Sequence, residues 1–469
     1  MIIQEATKRA MGVFEQKMKD FADKTDVSEL TAELALDFSA ALKDALSEAG
    51  CNAYQGFIEY YDLQDPTITI NGRKLRRKMA STKEFLTPFG TMDITRSLYQ
   101  ADSGGKTYCP LDDLWGMKDE FATEEVREAV AFAMAHLTAG ETEQLFGKSA
   151  WFHPSATAAK NMTNRIGDFV EEHRDTIMEA VQDNEHIPEH RDVLVASMDG
   201  TNVLLRENGC RKGRPAERPG RNASSSENTA YRNAMTGAIS FYELPCEGQE
   251  RPQRLQSSYI GRMPQKGAVT FKGQFEQEVL AAQEKASSAT TKIFLCDGQR
   301  SIWSYANSNP IYEDYEKLID FYHTSEHLSK AGEALFGKNS NAGRSWYEKY
   351  YRKLLEDEDG PDAVLRSMRY YGQTRKLSKN RREVLEQQRT FFKRNKDKMN
   401  YADFIARELP IGSGPVEAAC KSIIKTRLCR SGMRWSRKGG QRILYLRCFV
   451  KSDRWDDFWK HYTQLKRSA

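Results

Sequence analysis

Apolar positions change their period several times along this chain, and the changes divide it. Residues 3 to 62 carry apolar side chains at helical spacing, including Leu30, Leu34, Leu36, Phe38 and Leu42, so this stretch is predicted to be helical. Between Lys83 and Gln100 the composition turns strand-like and is broken by Pro88 and Gly90, the pattern of a β-hairpin. From Thr123 the helical period returns. TEEVREAVAFAMAHL, GETEQLFGKSAWF and PSATAAKNMTNRIGDFVEEHRDTIMEAV read as three consecutive helices. Two readings of this trio stand level. It is either a helix-turn-helix whose third helix offers Lys160, Asn161, Asn164 and Arg165 to a DNA groove, or a bundle with polar outer faces.

A boundary near Ile187 to His190 opens a different pattern. RDVLVASMDGTNVLLRE is a short apolar run ending in Asp199-Gly200, the outline of a buried strand. The following RKGRPAERPGRNASSSEN is too rich in Pro, Gly, Ser and Arg for core structure and reads as a flexible basic loop. AYRNAMTGAISFYEL and RLQSSYIGR supply two further strands, FKGQFEQEVLAAQEKA a helix, and TKIFLCDGQRSIW a strand ending in Asp297-Gly298. Helical pattern then runs from about Tyr312 to Glu408. The order predicts a multidomain α+β protein. Its segments are a helical region at 1–65, a hairpin-containing segment at 66–122, a helix-turn-helix-like region at 123–187, a mixed-sheet α/β core at 188–311 and 410–469, and an all-α block at 312–409.

Composition narrows the setting. Hydrophobic residues are 39% and mean hydropathy is −0.69, and no window approaches eighteen uninterrupted apolar residues, so no membrane span is expected. The first twenty residues are amphipathic and unlike a signal peptide, which points to a cytoplasmic, nucleoid-associated protein. Eight cysteines stand singly with no CxxC pair, against a zinc ribbon and in keeping with a reducing compartment. Cys109 in particular lacks the nearby cysteines that a metal knuckle needs. Net charge is only +4, yet the cations cluster at 73–78, at 211–221 and in the C-terminal segment, and such clustering points to a polyanion. A hydrolase of small molecules would give those clusters no purpose. No GxxxxGK[ST] loop occurs, so no nucleotide cofactor is expected.

From Pro415 to Lys451 there are ten Lys or Arg and one acid, Glu417. Gly-Ser-Gly precludes helix before it, Pro415 suits a first helical position, and VEAACKSIIKTRL has helical composition, so Glu417 falls in a first turn. Glu417, Lys421, Lys425 and Leu428 share one face of such a helix, with Cys420, Ile423, Ile424 and Arg427 roughly on another. Taken alone, Glu417 answers the helix dipole and pairs with Lys421, and each Asp-Gly reads as a hairpin turn. Taken together, Asp199, Asp297 and Glu417 are three carboxylates that a mixed sheet can bring to one edge. Carboxylate oxygens of that kind suit two Mg²⁺ (or Mn²⁺) ions acting on a phosphodiester. Lys421, Lys425, Arg427, Arg430 and Arg434 would then bed the DNA phosphates.

SMDGT, FLCDG, DFYHTSEHL and IGSGPVEAACKSIIKTRLCRSGMRW resemble the motifs of bacterial insertion-sequence transposases of the DDE class. The resemblance covers roughly Asp192 to the C-terminus, with a looser match in the N-terminal helices. It implies an RNase H-like catalytic core with Asp199, Asp297 and Glu417 as its metal-binding triad. The long interval from Asp297 to Glu417 implies the α-helical insertion of Mutator-like relatives, and Asp320 and His323 fit the DxxH element of those insertions. It further implies cleavage at element ends and transfer of the freed 3′-hydroxyl into target DNA. The partners would be terminal inverted repeats and target duplex, held by a dimer or larger assembly. A transposase-derived DNA-binding regulator without catalysis and another RNase H-like DNA endonuclease are the alternatives. His323 and His327 lie one helical turn apart but lack an evident third zinc ligand. Trp303 and Trp346 read as core residues, with base stacking as their functional alternative.

Overall fold

The computed structural model describes residues 2–70, 72–187, 189, 191–206, 231–246 and 251–468. The basic run 211–221, its expected flexible loop, and Pro188 and His190 of the boundary segment lie outside the described residues. The chain forms two compact units, residues 1–173 with 459–469, and residues 174–458. No helix among the described residues is long and apolar enough to cross a membrane.

The first unit begins with α1 (Ile2–Lys24) and α2 (Ala32–Glu59), the latter capped by Thr31, whose hydroxyl accepts from Leu34 N. A three-stranded antiparallel sheet follows, β1 (Thr67–Ile70), β2 (Arg73–Thr87) and β3 (Gly90–Ala101), in sequential order. Pro88 and Phe89 form the β2–β3 turn. Thr87 Oγ1 accepts from Phe89 N and donates to Gly90 O, and Gly90 takes the positive φ of 132° there. Alternation buries Phe85 with Met92 and Ile94 against Ile58, Leu111 and Met117. The helices of this unit are α3 (Pro110–Leu114), α4 (Glu124–His136), α5 (Ala139–Ser149), which opens on a Thr138/Glu141 capping box, and α6 (Ala156–Glu172). The third helix expected from sequence stops at His173 (φ −112°, ψ 20°). Its continuation, α7 (Arg174–Asn184), belongs to the second unit, where Arg174 donates to Gln277.

The second unit is built on a mixed five-stranded sheet. Its strands are β4 (Val193–Leu204), β5 (Tyr231–Glu243), β6 (Gln253–Arg262), β7 (Thr291–Cys296) and β8 (Glu316–Ile319), in the order β6-β5-β4-β7-β8. The first three form an antiparallel meander, and β7 and β8 join β4 in parallel. Helix α8 (Val269–Lys285) covers one face, where Gly237 admits Phe275 so closely that a Cβ would stand 2.4 Å from its ring. Thr236, one position along and therefore on the opposite face, lies beside Cys420. After β7 and α9 (Arg300–Ser308), β8 leads into a helical block of α10 (Phe321–Phe336), α11 (Asn341–Glu356), α12 (Gly360–Thr374), α13 (Lys379–Asn395) and α14 (Tyr401–Ala406). Its Leu328, Leu335, Trp346, Val364 and Phe392 share one hydrophobic core with the sheet residues Val195, Phe294 and Leu318. The chain ends in α15 (Gly414–Ala419), a π-helical segment at Cys420–Lys425, α16 (Thr426–Leu428), α17 (Arg437–Lys451) and α18 (Trp455–Ser468), of which the residues from Trp459 onward belong to the first unit.

Three expectations are corrected here. The interval from Tyr312 to Glu408 is not wholly helical, because Glu316–Ile319 forms the edge strand β8, with Leu318 and Ile319 buried. Asp199-Gly200 is neither a turn nor a strand end, since β4 continues through it to Leu204. The helix carrying Glu417 is not a continuous α-helix but widens into the π segment.

Arg454 ties this unit together from inside. Its guanidinium donates to both oxygens of Glu185 at 2.9 Å and to both oxygens of Glu278 on α8 at 3.1 Å, with Arg454 and Glu278 buried. Removing one member of such a group strands buried charge. Arg454→Met is expected to destabilise the protein by roughly 3–5 kcal/mol in calorimetry. Adding Glu278→Gln is expected to recover part of the loss, and a double variant no better than the single would contradict the pairing.

Candidate active site

The parallel registers decide where the acidic residues fall. Ala196 of β4 pairs with Phe294 of β7, and Cys296 of β7 pairs with Ile319 of β8. Continued in step, these registers bring Asp199, Asp297 and Asp320 to one level across three adjacent strands, on the same side of the sheet. Between β7 and β8 the ladder does continue, since Asp320 N donates to Cys296 O at 2.9 Å; between β4 and β7 the pairing ends at Ala196 and Phe294, and Asp199 still lies near enough to Asp297 to raise its carboxyl. Asp199 pairs with Thr236 and so faces the side on which Cys420 lies. Glu417, one helical turn before Cys420, approaches the aspartates from that covering helix.

Each aspartate is oriented by backbone. Asp199 Oδ1 accepts from Gly200 N at 2.6 Å and Asp297 Oδ1 from Gln299 N at 3.0 Å. The loop after β7 is held by Trp303, whose indole donates to Asp297 O at 2.6 Å, and by Arg394, which donates to Gly298 O at 3.0 Å. Trp303 and Trp346 are both buried, and Trp346 donates to Ser367 Oγ. Asp320 is buried and has both oxygens engaged: Oδ1 caps α10 by accepting from His323 N at 2.6 Å, and Oδ2 accepts from Ser413 N.

The acids feel one another. Burial, then Asp199 and Asp320, raise the Asp297 carboxyl above its ordinary value against the opposing pull of Gln299 N and His323. Glu417 reaches solvent, yet partial desolvation followed by Asp320, Asp199 and Glu326 raises it too. The neighbouring thiols are neutral. Burial and Asp199 push Cys420 up to about 12, and burial raises Cys296, which receives a hydrogen bond from Met198 N. Apart from the His323 imidazole, the ionisable donors in reach are therefore carboxylate oxygens, the chemistry of a hard divalent cation. As the side chains stand, no group of three or more His, Cys, Asp or Glu among the described residues is drawn tightly enough to grip one ion. Asp199, Asp297 and Glu417 each keep oxygen capacity for that purpose, whereas Asp320 has both oxygens committed to N–H groups.

His323 projects from the first turn of α10 and is linked to His327, with 3.3 Å between their Nε2 atoms. His327 Nδ1 lies 2.6 Å from Gln388 Oε1, which can only accept, so Nδ1 carries the proton. Burial lowers the His327 pKa and favours the neutral ring. Its Nε2 is then an acceptor, and His323 Nε2 is the donor. Phe391 stacks on His327 at 3.6 Å and fixes the ring.

The basic residues divide. Lys421 and Lys425 are exposed, and Arg430 and Arg434 are half-buried. Arg427 is a correction: it is only 2% exposed, with its guanidinium over the Trp435 ring at 5.2 Å, and offers no face to a phosphate. The helical pattern had grouped it with Cys420, Ile423 and Ile424, which are likewise buried. Lys160, Asn164 and Arg165 lie on α6 in the first unit. Lys160 is exposed and Asn164 half-buried, while Arg165 is engaged by Asp119 O and by Glu120 at 3.4 Å. Asp320 as a fourth acid at the level of the other aspartates was missed in the residue pattern. The available signal was Leu-Ile-Asp at the end of β8, an apolar run closing on Asp as β7 does.

No protein-family model matches the chain, and no curated protein does. Among solved structures, one that it matches is the Drosophila P element transposase strand transfer complex, at 10% identity and a TM-score of 0.24, over 72% of this chain and 80% of that one. At that level of superposition the likeness carries no weight for fold or activity.

The raised carboxyls predict a pH signature. In the window between their ordinary and raised values, the folded state binds more protons than the unfolded chain, so their ionisation makes stability fall as pH rises through it. Asp297→Asn is expected to melt above the parent at pH 7, by roughly 2–4 °C for each kcal/mol relieved. The gap should close as pH falls below the ordinary carboxylate range, where the Asp297 carboxyl is protonated in the folded and the unfolded chain alike. A variant that melts lower at pH 7, or a gap unaffected by pH, would rule out a repulsive site.

Proposed function

We propose that this protein is a divalent-metal-dependent transposase that cuts DNA at the ends of its element and joins the freed 3′-hydroxyl to target DNA. The observation that carries the reading is the alignment of Asp199, Asp297 and Asp320 across three neighbouring strands, with Glu417 brought over them by the covering helix. The strand order, an antiparallel meander continued by two parallel strands, supports an RNase H-like core, and the helical block between β8 and α15 supports an insertion within it.

Asp199, Asp297 and Glu417 would hold two Mg²⁺ or Mn²⁺ ions, which when bound supply Lewis-acid stabilisation of phosphodiester oxygens and a water of lowered pKa. The residues of the chain do the rest. Asp320 acts as a positioning residue, since it carries no spare oxygen and instead sets the start of α10 and the Ser413 turn before Glu417. His323, oriented through His327 and Gln388, sits where it can hold a proton beside the acidic cluster. Lys421 and Lys425, exposed on the Glu417 helix, fix the DNA backbone by charge. Two ends must be joined, so the working form is an assembly of at least two copies on DNA.

Asp199→Asn, Asp297→Asn and Glu417→Gln should each abolish Mg²⁺- or Mn²⁺-dependent cleavage of DNA bearing the sequences that flank the gene, with DNA binding largely retained. Mn²⁺ should also raise the melting temperature of the parent and not of these variants, a readout independent of turnover. Full cleavage by any one variant removes that residue from the site. Cleavage that needs no divalent ion sinks the reading as a whole.

Lys421→Ala with Lys425→Ala should weaken DNA binding and reduce its salt dependence without lowering the melting temperature. Arg427→Ala should do the reverse, because its buried guanidinium packs on Trp435. Equal effects of the two changes on binding would show that the exposed face is not the phosphate bed.

A further inference from the structure

The sequence RKLRRK at 73–78 puts five cations in six positions, and the proposed chemistry makes no use of them. The residues open strand β2. Arg73 to Arg76 pair with β1 from Ile70 to Thr67, while β3 reaches only as far as Leu75. Arg73 and Lys74 therefore belong to a two-stranded ribbon that extends past the third strand. Register sorts its side chains by face. Thr67 stands opposite Arg76 and Thr69 opposite Lys74, and all four are exposed. Ile68 opposite Leu75 makes up the other face, and both are half-buried. Lys78 falls at the register shift between Arg77 and Met79, an irregularity that adds local twist, and is exposed as well.

Little neutralises this face. Arg76 pairs with Asp102 at 2.9 Å, but both side chains are about two-thirds exposed, and a pair so solvated is weak. Lys78 donates to the neutral amide of Gln100, and Lys74 has no ion-pair partner among the described residues. The result is a narrow ribbon with cations and hydroxyls on one face. Such a ribbon fits the major groove of B-form DNA, which admits a two-stranded β-element, whereas the deep and narrow major groove of A-form RNA does not.

We propose that the β1–β2 ribbon is a DNA-binding element in its own right, seated on duplex DNA through phosphate contacts from Lys74, Arg76 and Lys78, with Thr67 and Thr69 as neutral donors. This goes beyond the catalytic reading and does not depend on it.

The test is binding of the full chain to a labelled 30-base-pair duplex, followed by fluorescence anisotropy between about 50 and 200 mM salt, the span over which phosphate contacts show clearly. Replacing Lys74, Arg76 and Lys78 together by Gln should make the slope of log affinity on log salt shallower by roughly 2–3, at about 0.9 for each lost phosphate contact. Exchanging the same positions for the other cation, Lys74→Arg, Arg76→Lys and Lys78→Arg, should restore the parental slope. Should the triple variant melt early, Lys74→Gln alone carries the test, with a slope change of about 0.9. A parental slope in the Gln variants overturns the proposal. So does equal binding of double-stranded RNA that the variants weaken equally, and so does capture of acidic protein with no loss of DNA affinity in the variants.

Discussion

Asp320 is a buried carboxylate with both oxygens committed, and the return of the Glu417 segment to this end of the sheet rests on those commitments. One oxygen opens α10 by accepting from His323 N, and the other accepts from Ser413 N, so a single side chain joins the beginning of the helical block to its end. Neighbouring bonds repeat the closure. Phe321 N donates to Ile411 O at 3.0 Å, and Tyr401, at the start of the last helix of the block, donates its hydroxyl to Ile319 O at 3.0 Å. Gly412 is needed there because a Cβ would stand 2.7 Å from the Tyr322 ring. The chain can therefore leave the sheet after β8, build five helices and return to the point of departure. Glu417 comes back next to strands that ended long before it in sequence.

The returning segment solves a second constraint with its cations. A π-helical stretch changes the hydrogen-bonding partners of its carbonyls, and buried carbonyls need donors. Arg447 on α17 meets that need, donating to Ile423 O at 2.8 Å and to Ser422 O. Thr426 Oγ1 adds a bond to Lys421 O at 2.8 Å. Burial lowers the Arg447 pKa, yet the guanidinium is fixed by carbonyl oxygens and works as a structural donor. Basic residues near the site thus have two separate uses: Arg427 and Arg447 are spent inside, and Lys421 and Lys425 remain outside.

That division explains what could be read from the residues alone. The apolar runs closing on Asp199 and Asp297, and the change from strand to helix period around them, were legible because a strand buried on both faces leaves an uninterrupted apolar run. Four-residue β8 was not, since Glu-Lys-Leu-Ile carries no period of its own and becomes a strand only by pairing with β7. Asp320 was noticed as the start of a helix motif but not as a member of the acidic row, because its level depends on that unseen strand. Arg427 was assigned to DNA by its charge although the helical pattern set it among buried residues, and the pattern was the better guide. Leu428, grouped by an α-helical wheel with Lys421 and Lys425, is buried because the π segment rotates the residues after it.

The same arrangement carries an electrostatic cost that the fold does not relieve. The aspartates, with Glu417 and Glu326 near, repel one another, and beside Asp199 stand the neutral thiol of Cys420 and the hydroxyls of Thr201 and Thr236. His323 acts against that repulsion at both Asp297 and Glu417, and its neighbours hold its orientation. Gln388 fixes the tautomer of His327, Phe391 fixes its plane, and His327 then accepts from His323. Gly298 belongs to the same set, because a Cβ there would stand 2.4 Å from the Phe391 ring. The helical block is therefore more than a spacer between Asp297 and Glu417. Through α13 it holds His323, which acts on the acids, and through Asp320 it anchors the turn that leads to Glu417, so the charge balance of the site depends on the helices inserted beside it.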